Sequence, residues 1–296
     1  MSRADEIALF VGGAHKAGTT ALFDALAQHP ELAGHAQSEL TFFVEDEEYR
    51  RGFSSRAWRR YLPPARGAFV AKHVKLCYRR EALERLRNHS PGCRLVLLLR
   101  HPVERAHSAY WHARAHGREE LPRFEDALAA EDERVERGRA PWHDTSYVRN
   151  GLYAGPLADA AEVFGVARVH AYLLEDLRAR PLEVVRELYG LLGVDPSFRP
   201  DLERGANRAT AARSPALARL MGRVFDSRSR AKRALRVLVP DRVAVALRHE
   251  LVRRNERPLV APPMDPATRA ALLARFRDSN ASVARRLGRD LAGWER

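Results

Sequence analysis

Ile7-Ala8-Leu9-Phe10-Val11-Gly12-Gly13-Ala14-His15-Lys16-Ala17-Gly18-Thr19-Thr20-Ala21-Leu22-Phe23 is the stretch that decides the fold. Ile7–Val11 is a short apolar run that enters glycines, and a helical pattern follows over Thr19–Gln28, stopped by His29-Pro30. The reading is a buried parallel strand over Ile7–Gly12, a glycine loop and a helix. That order gathers backbone N–H groups at a helix N-terminus, where the helix dipole also favours an anion. Gly12, Gly13 and Gly18 allow the backbone a close approach, and Thr19 and Thr20 add hydroxyl donors. The outline is G-x-x-x-x-G-K-[ST], yet Thr19 stands at the lysine position and Lys16 comes three residues early.

Working outward, Ala68–Val74 and Arg94–Leu99 read as further strands, the second apolar throughout after Arg94 and therefore central. Arg79–Asn88 reads as a helix with Leu83 and Leu86 inward, and Pro102 opens another through about His116. Helices are expected over Phe124–Arg137, Ser146–Val163 and Pro181–Leu192, with a strand over Arg168–Leu174. This alternation predicts an α/β fold of the P-loop type: three layers, a central parallel sheet flanked by helices. After Pro200 the chain turns to Arg/Ala-rich helical patterns with no strand signal, the longest over Asp265–Leu287. The expected organisation is a single domain, 1–296, with an α/β core over about 1–201 and a helical C-terminal extension over about 202–296.

The 296 residues carry a formal net charge of +13, which suits an anionic ligand, nucleic acid or an acidic membrane. Nearly all of the cations are arginines; the lysines are Lys16, Lys72, Lys75 and Lys232. A lysine inside a glycine loop of such a chain supplies a compact point charge. Two cysteines make neither a disulfide framework nor a cysteine zinc site, and no leader or membrane-length apolar run is present, so a cytoplasmic protein is expected. No aromatic-interleaved basic motif, helix-turn-helix or zinc-finger spacing supports nucleic acid as a partner.

A magnesium-dependent triphosphatase or kinase needs an Asp at the end of a neighbouring strand to hold the metal. Here Arg94–Leu99 ends in Arg100-His101-Pro102, a cation that repels Mg²⁺ and suits a second phosphate. Two anion corners without a metal ligand point to a doubly phosphorylated nucleotide, bound without metal. On these residues the chain resembles sulfotransferases that use 3′-phosphoadenosine 5′-phosphosulfate (PAPS). Gly13–Leu22 with Gln28-His29-Pro30 resembles their 5′-phosphosulfate loop, and Arg100–Tyr110 their 3′-phosphate motif R-x-P-x-x-R-x-x-S-x-Y. The branch is similar to the heparan-sulfate-type and related bacterial enzymes. Ser38-Glu39-Leu40-Thr41-Phe42-Phe43 resembles K-E-x-x-F-F, Ser146–Tyr153 the S-x-Y helix, and Glu175-Asp176-Leu177 follows a strand as in that family.

The resemblance implies that Gly13, His15, Lys16, Ala17, Gly18, Thr19 and Thr20 hold the 5′ end of PAPS and that Arg100 and Ser108 hold its 3′-phosphate. It gives Lys16 the leaving-group oxygen, Glu39 the role of general base toward an acceptor hydroxyl, and Lys72 a place near the sulfate. Lys72 sits in Ala71-Lys72-His73-Val74, where the family has E-K-x-P, so an acid and a proline are replaced; Ser38 replaces a lysine. A late basic loop is expected over the 3′-phosphate, with Arg208 or Arg213 as its cation. The acceptor would be a carbohydrate, lipid or other small molecule, held by loops including Phe42–Tyr61 and Gly117–Thr145. Within these, Glu45–Glu48 and its flank Tyr49–Arg51 read as solvated. Ser227–Leu259, rich in Arg between Leu and Val, fits either helices packed on the core or a peripheral membrane contact. A magnesium-dependent kinase of a small metabolite and a basic nucleic-acid-binding protein are the competing readings.

Overall fold

The computed structural model describes residues 5–35, 37–62, 67–203, 210–212, 256–258 and 261–296. Strand β1 (Ile7–Gly13) passes through the glycine loop into helix α1 (Thr19–Leu26). After it come β2 (Leu32–Gly34), the short helices α2 (Asp46–Arg50) and α3 (Arg56–Arg59), and β3 (Ala68–Lys72). Next are α4 (Arg80–His89), β4 (Arg94–Leu99), α5 (Pro102–Ala115), α6 (Phe124–Ala129) and α7 (Glu131–Glu136). Then follow α8 (Ala154–Phe164), β5 (Val169–Leu173), α9 (Leu174–Ala179) and α10 (Pro181–Leu192), and later β6 (Thr210–Ala212), β7 (Glu256–Pro258) and α11 (Pro266–Leu287).

These elements form two compact units. The first takes the described residues of 1–106, 148–207 and 269–296; the second takes those of 107–147 and 208–268. The first holds a parallel sheet in the order β2-β3-β1-β4-β5. Val11 pairs with Lys72 on one side and Val96 on the other, so β1 is the strand from which the chain runs out in both directions. Such a switch point leaves a crevice at the carboxyl ends of the strands, where ligands bind in open α/β sheets. Leu95–Leu99 of β4 are all buried, as a central strand covered on both faces requires. Helix α1 packs with α10 and α4 with α8. In α11, Leu272, Phe276 and Val283 are buried.

Three expected elements differ. No single helix covers Ser146–Val163: Arg149–Gly151 is a 3₁₀ turn, and α8 begins at Ala154. Tertiary contacts override the periodicity there. A Cβ on Gly151 would meet the Phe276 ring at 2.8 Å, and the Tyr153 hydroxyl donates to the Arg100 carbonyl at 2.9 Å. The helix expected over Phe124–Arg137 is interrupted at Ala130. After Pro200, β6 and β7 pair antiparallel, Thr210 opposite Pro258, although three-residue strands are too short to show an alternating pattern.

The acidic run Glu45–Glu48 is exposed at Glu45, Asp46 and Glu47 as expected, but it is not a loop. It begins α2, and the half-buried Glu48 accepts from Arg60, from the Tyr61 hydroxyl at 2.8 Å and from Thr41 Oγ1 at 2.9 Å. Asp46 pairs with Arg85 at 2.7 Å and with Arg79 at 3.1 Å. Nor is Phe42–Tyr61 an open loop: Phe42, Phe43, Trp58 and Tyr61 are buried, and the Phe42, Phe43, Phe53 and Trp58 rings pack together. Tyr49 joins its edge, with the Arg85 guanidinium over its ring. His89 lies in the same cluster, and burial pushes its imidazole down to about 4, so it is neutral there. The second unit has its own centre in Glu119, which accepts both Arg134 nitrogens at 2.7 Å and the Tyr147 hydroxyl at 2.8 Å.

Candidate active site

The glycine loop leaves β1 at Gly13, where φ is +149° and a Cβ would overlap the Cys77 sulfur, so only glycine fits. The Ala14 N–H donates to the Leu98 carbonyl at 2.7 Å, which ties the loop to β4, and the Ala17 N–H donates back to Ala14 at 3.2 Å. Lys16 has φ of +67°, a left-handed conformation uncommon for lysine, which turns the loop tightly between these bonds. Gly18 caps α1 with φ of +91°. Its side offers no capping hydroxyl, and the first turn carries no acid, so no local carboxylate competes for the helix N-terminus. Around this turn His15, Ala17 and Thr19 are buried, while Lys16, Gly18 and Thr20 are half-buried.

Arg100 follows the end of β4, and its Nη1 donates to the Lys16 carbonyl at 3.2 Å. The two anion corners inferred from separate motifs are therefore parts of one loop system. Burial, and then repulsion from Arg178, hold the Arg100 guanidinium below its ordinary value. Arg178 was not anticipated. It follows Leu174 and Leu177 of α9, which face Gly18; a Cβ there would meet Leu174 Cδ1 at 2.9 Å. No local motif signals such a residue, because the docking of α9 against the loop brings it near. Ser108 lies two turns into α5 and is half-buried. Arg105, of the same motif, is fully buried and acts on the Tyr78 and Tyr153 phenols rather than facing solvent. The Tyr78 hydroxyl donates to the Asn150 carbonyl at 2.9 Å and accepts from the His15 N–H.

Glu39 and Lys72, 33 residues apart, meet at the carboxyl end of β3: Lys72 Nζ lies 2.5 Å from Glu39 Oε1. Lys72 is buried, and its ammonium stands over the Phe23 ring of α1 at 5.8 Å. Burial pushes the Glu39 carboxyl above its ordinary value, while Lys72, the Val74 N–H and Lys75 pull it down. A carboxylate held partly against its own ionisation is suited to take up a proton. His35, stacked on Phe23 at 4.6 Å, is driven down to about 4 by burial and then by Lys72, so it adds no charge to this corner. His73 is buried, and its Nδ1 accepts from the Lys75 N–H at 3.2 Å, a turn-forming role. Ser38 is exposed. Arg208 and Arg213 lie outside the described residues, as does 227–259 apart from 256–258. No described helix is long and apolar enough to cross a membrane.

Comparison with known proteins follows the same line. No family model matches the chain. It is 27% identical over 304 residues to the mouse bifunctional heparan sulfate N-deacetylase/N-sulfotransferase 3, covering 96% of this chain and 30% of that protein. It is also 27% identical over 248 residues to the Drosophila melanogaster bifunctional heparan sulfate N-deacetylase/N-sulfotransferase, covering 73% of this chain and 23% of that one. The chain thus spans under a third of the length of these curated relatives. Among solved structures, the crystal structure of a sulfotransferase from Alicyclobacillus acidocaldarius matches over 100% of both chains with a TM-score of 0.71 and 24% identity, which shows a shared fold.

Proposed function

We propose that the chain is a sulfotransferase that moves the sulfuryl group of PAPS to an acceptor hydroxyl, a reading supported by its likeness to the N-sulfotransferases and by the shared sulfotransferase fold. The observation that carries this reading is the meeting of Arg100 with the glycine loop, Nη1 on the Lys16 carbonyl at 3.2 Å. It sets a cation from β4 beside the open N-terminus of α1, an arrangement that suits one nucleotide with a phosphate at each end of its ribose. The α1 N–H groups, Thr19 and Thr20 receive the 5′-phosphate, and Arg100 and Ser108 the 3′-phosphate. The backbone and buried side chains of Gly13, His15, Ala17 and Gly18 shape the cradle.

In the transfer, the acceptor oxygen forms a bond to sulfur as the bond from sulfur to the bridging 5′-phosphate oxygen breaks. Glu39 takes the acceptor's hydroxyl proton, and the electron pair of the broken bond stays on 3′-phosphoadenosine 5′-phosphate (PAP). Charge builds on the bridging oxygen, where the Lys16 ammonium stabilises it; Lys72 supports the transferring sulfuryl oxygens. The acceptor class is a carbohydrate, a lipid or another small molecule.

Calorimetry and turnover test this together. PAP should bind far more tightly than AMP with or without Mg²⁺. Lys16→Ala should reduce turnover by about 10²- to 10³-fold, the scale of one lost charge-stabilising donor, with PAP binding still measurable. Arg100→Ala should weaken PAP by about tenfold or more and adenosine 5′-phosphosulfate far less. Mg²⁺-dependent ATP turnover with PAP no better than AMP would favour the kinase reading instead.

A further inference from the structure

The Glu39 carboxylate is held at both oxygens. Oε1 faces Lys72 Nζ at 2.5 Å, and Oε2 accepts the backbone N–H of Val74 at 3.0 Å. The segment that supplies this N–H is itself tied down. The His73 N–H donates to the Val11 carbonyl at 3.0 Å, the Lys75 N–H to His73 Nδ1 at 3.2 Å, and the Leu76 N–H to the His73 carbonyl at 3.2 Å. On the other side, the Leu40 N–H donates to the Lys72 carbonyl at 2.9 Å, so the residue after Glu39 is fastened to the strand that carries Lys72. Val74 occupies a position where a proline would have no hydrogen to give.

We propose that the backbone N–H of Val74 is the positioning group of the general base: it fixes the second oxygen of Glu39, so that the carboxylate cannot swing about the Lys72 contact and its free lone pairs keep one aim toward the acceptor. This deepens the sulfotransferase reading and rests on Glu39 being the base. A salt bridge alone would not do this, because an ammonium is a point charge that a carboxylate can pivot around, whereas two donors on two oxygens define a plane. The donor also favours the ionised carboxylate against the burial that opposes it. The charged and titratable groups facing the pair are Lys72 on β3 and Lys75 beyond it, with Asp24 on α1 and His35 after β2 grouped around Lys72. None of them replaces the Val74 donor: Lys72 donates to the other carboxylate oxygen, and the rest act through space or on Lys72.

The sign of the test follows. Removing a donor to the charged form raises the proton affinity of Glu39, so its titration moves to higher pH, as does the acidic limb of turnover. The measurement is ¹³C NMR titration of the Glu39 carboxyl in the full chain, assigned by its absence in Glu39→Gln. In the informative variant the amide of residue 74 is replaced by an ester, through incorporation of the hydroxy acid of valine. This deletes the N–H and keeps the side chain. The midpoint should rise by about one pH unit, the worth of a hydrogen bond to a charged group, and Val74→Pro should follow it. Val74→Ala keeps the N–H and should keep the midpoint, which separates the backbone role from side-chain packing. PAP affinity, read by calorimetry, should stay the same in the ester variant. An unmoved midpoint in the ester variant, or an equal rise in Val74→Ala, overturns the role of Val74 and leaves the sulfotransferase reading standing. Full turnover by Glu39→Gln would instead remove the base assignment on which this inference rests.

Discussion

The glycine loop and the loop that carries Glu39 stand at the same carboxyl edge of one parallel sheet, but they are stabilised in opposite ways. Between Gly13 and Gly18 the geometry is set by local backbone conformation and by a few bonds made by its own backbone: Ala14 N–H to Leu98, His15 N–H to the Tyr78 hydroxyl, and the Lys16 carbonyl accepting from Arg100. The segment from Ser38 to Tyr61 has only two short helices, α2 and α3, and borrows its shape from afar. Arg79 donates to the Val44 carbonyl, Arg85 donates to the Phe43 carbonyl at 3.1 Å, and Lys72 reaches Glu39. Its Phe42, Phe43, Phe53 and Trp58 rings form a core that holds the two short helices and the chain between them. A phosphate site can be a local device because it needs only N–H groups at a helix end. An acceptor site needs a wall, and a wall requires packing.

The largest break of this contrast is Trp58→Ala. Trp58 is 2% exposed and touches Phe42, Phe43, Phe53 and His89, so its truncation should cost about 3–5 kcal/mol in urea unfolding. PAP affinity of the remaining folded protein should be unchanged. If affinity falls with stability, the two loops are one cooperative piece and the contrast fails. Gly13→Ala is the next largest. A methyl there overlaps the Cys77 sulfur in a backbone region that L-residues avoid, which should cost about 1–3 kcal/mol and most of the PAP affinity. A variant that binds PAP as well as the parent would show that the loop tolerates another conformation.

The same contrast explains what was legible in the sequence. The strand–loop–helix order, the central strand Arg94–Leu99 and the helix after Pro102 stand as expected because period and punctuation encode them locally. Arg100 meets the glycine loop through the Lys16 backbone carbonyl. The region after Ser146 misleads because Gly151 and Tyr153 answer to α11 and β4 rather than to helical spacing. The helix begun by Glu45–Glu48 and the anchoring of Asp46 and Glu48 are hidden because their partners Arg60, Arg79 and Arg85 lie 12 to 39 residues away, and charge patterning cannot show such pairs. Arg178 and the Val74 N–H are invisible for a related reason. One acts through the docking of α9, and the other is a backbone atom without a side-chain signature.

The smallest effect sharpens the contrast from outside the loop. Asp176 of α9 accepts two nitrogens of Arg289, Nη2 at 2.9 Å, and the Leu173 N–H at 3.0 Å. Burial pushes this carboxyl up, but these donors together hold it below its ordinary value. A folded value below the unfolded one means stability that is fully present above the unfolded Asp range and lost as pH falls through the folded value. Arg289 is 37% exposed, so solvent screens the pair, and Asp176→Asn should cost about 1–2 kcal/mol at neutral pH. The gap from the parent should begin to narrow below roughly pH 4, in the unfolded Asp range, and close once the pH falls through the lower folded value of Asp176. Helix α9 presses Leu174 toward Gly18, so this variant loosens the support behind the glycine loop without touching the loop. If the loop is the local device described above, PAP affinity should stay within about threefold, a shift of well under 1 kcal/mol. A tenfold loss would place the nucleotide site, like the acceptor side, under the control of distant packing.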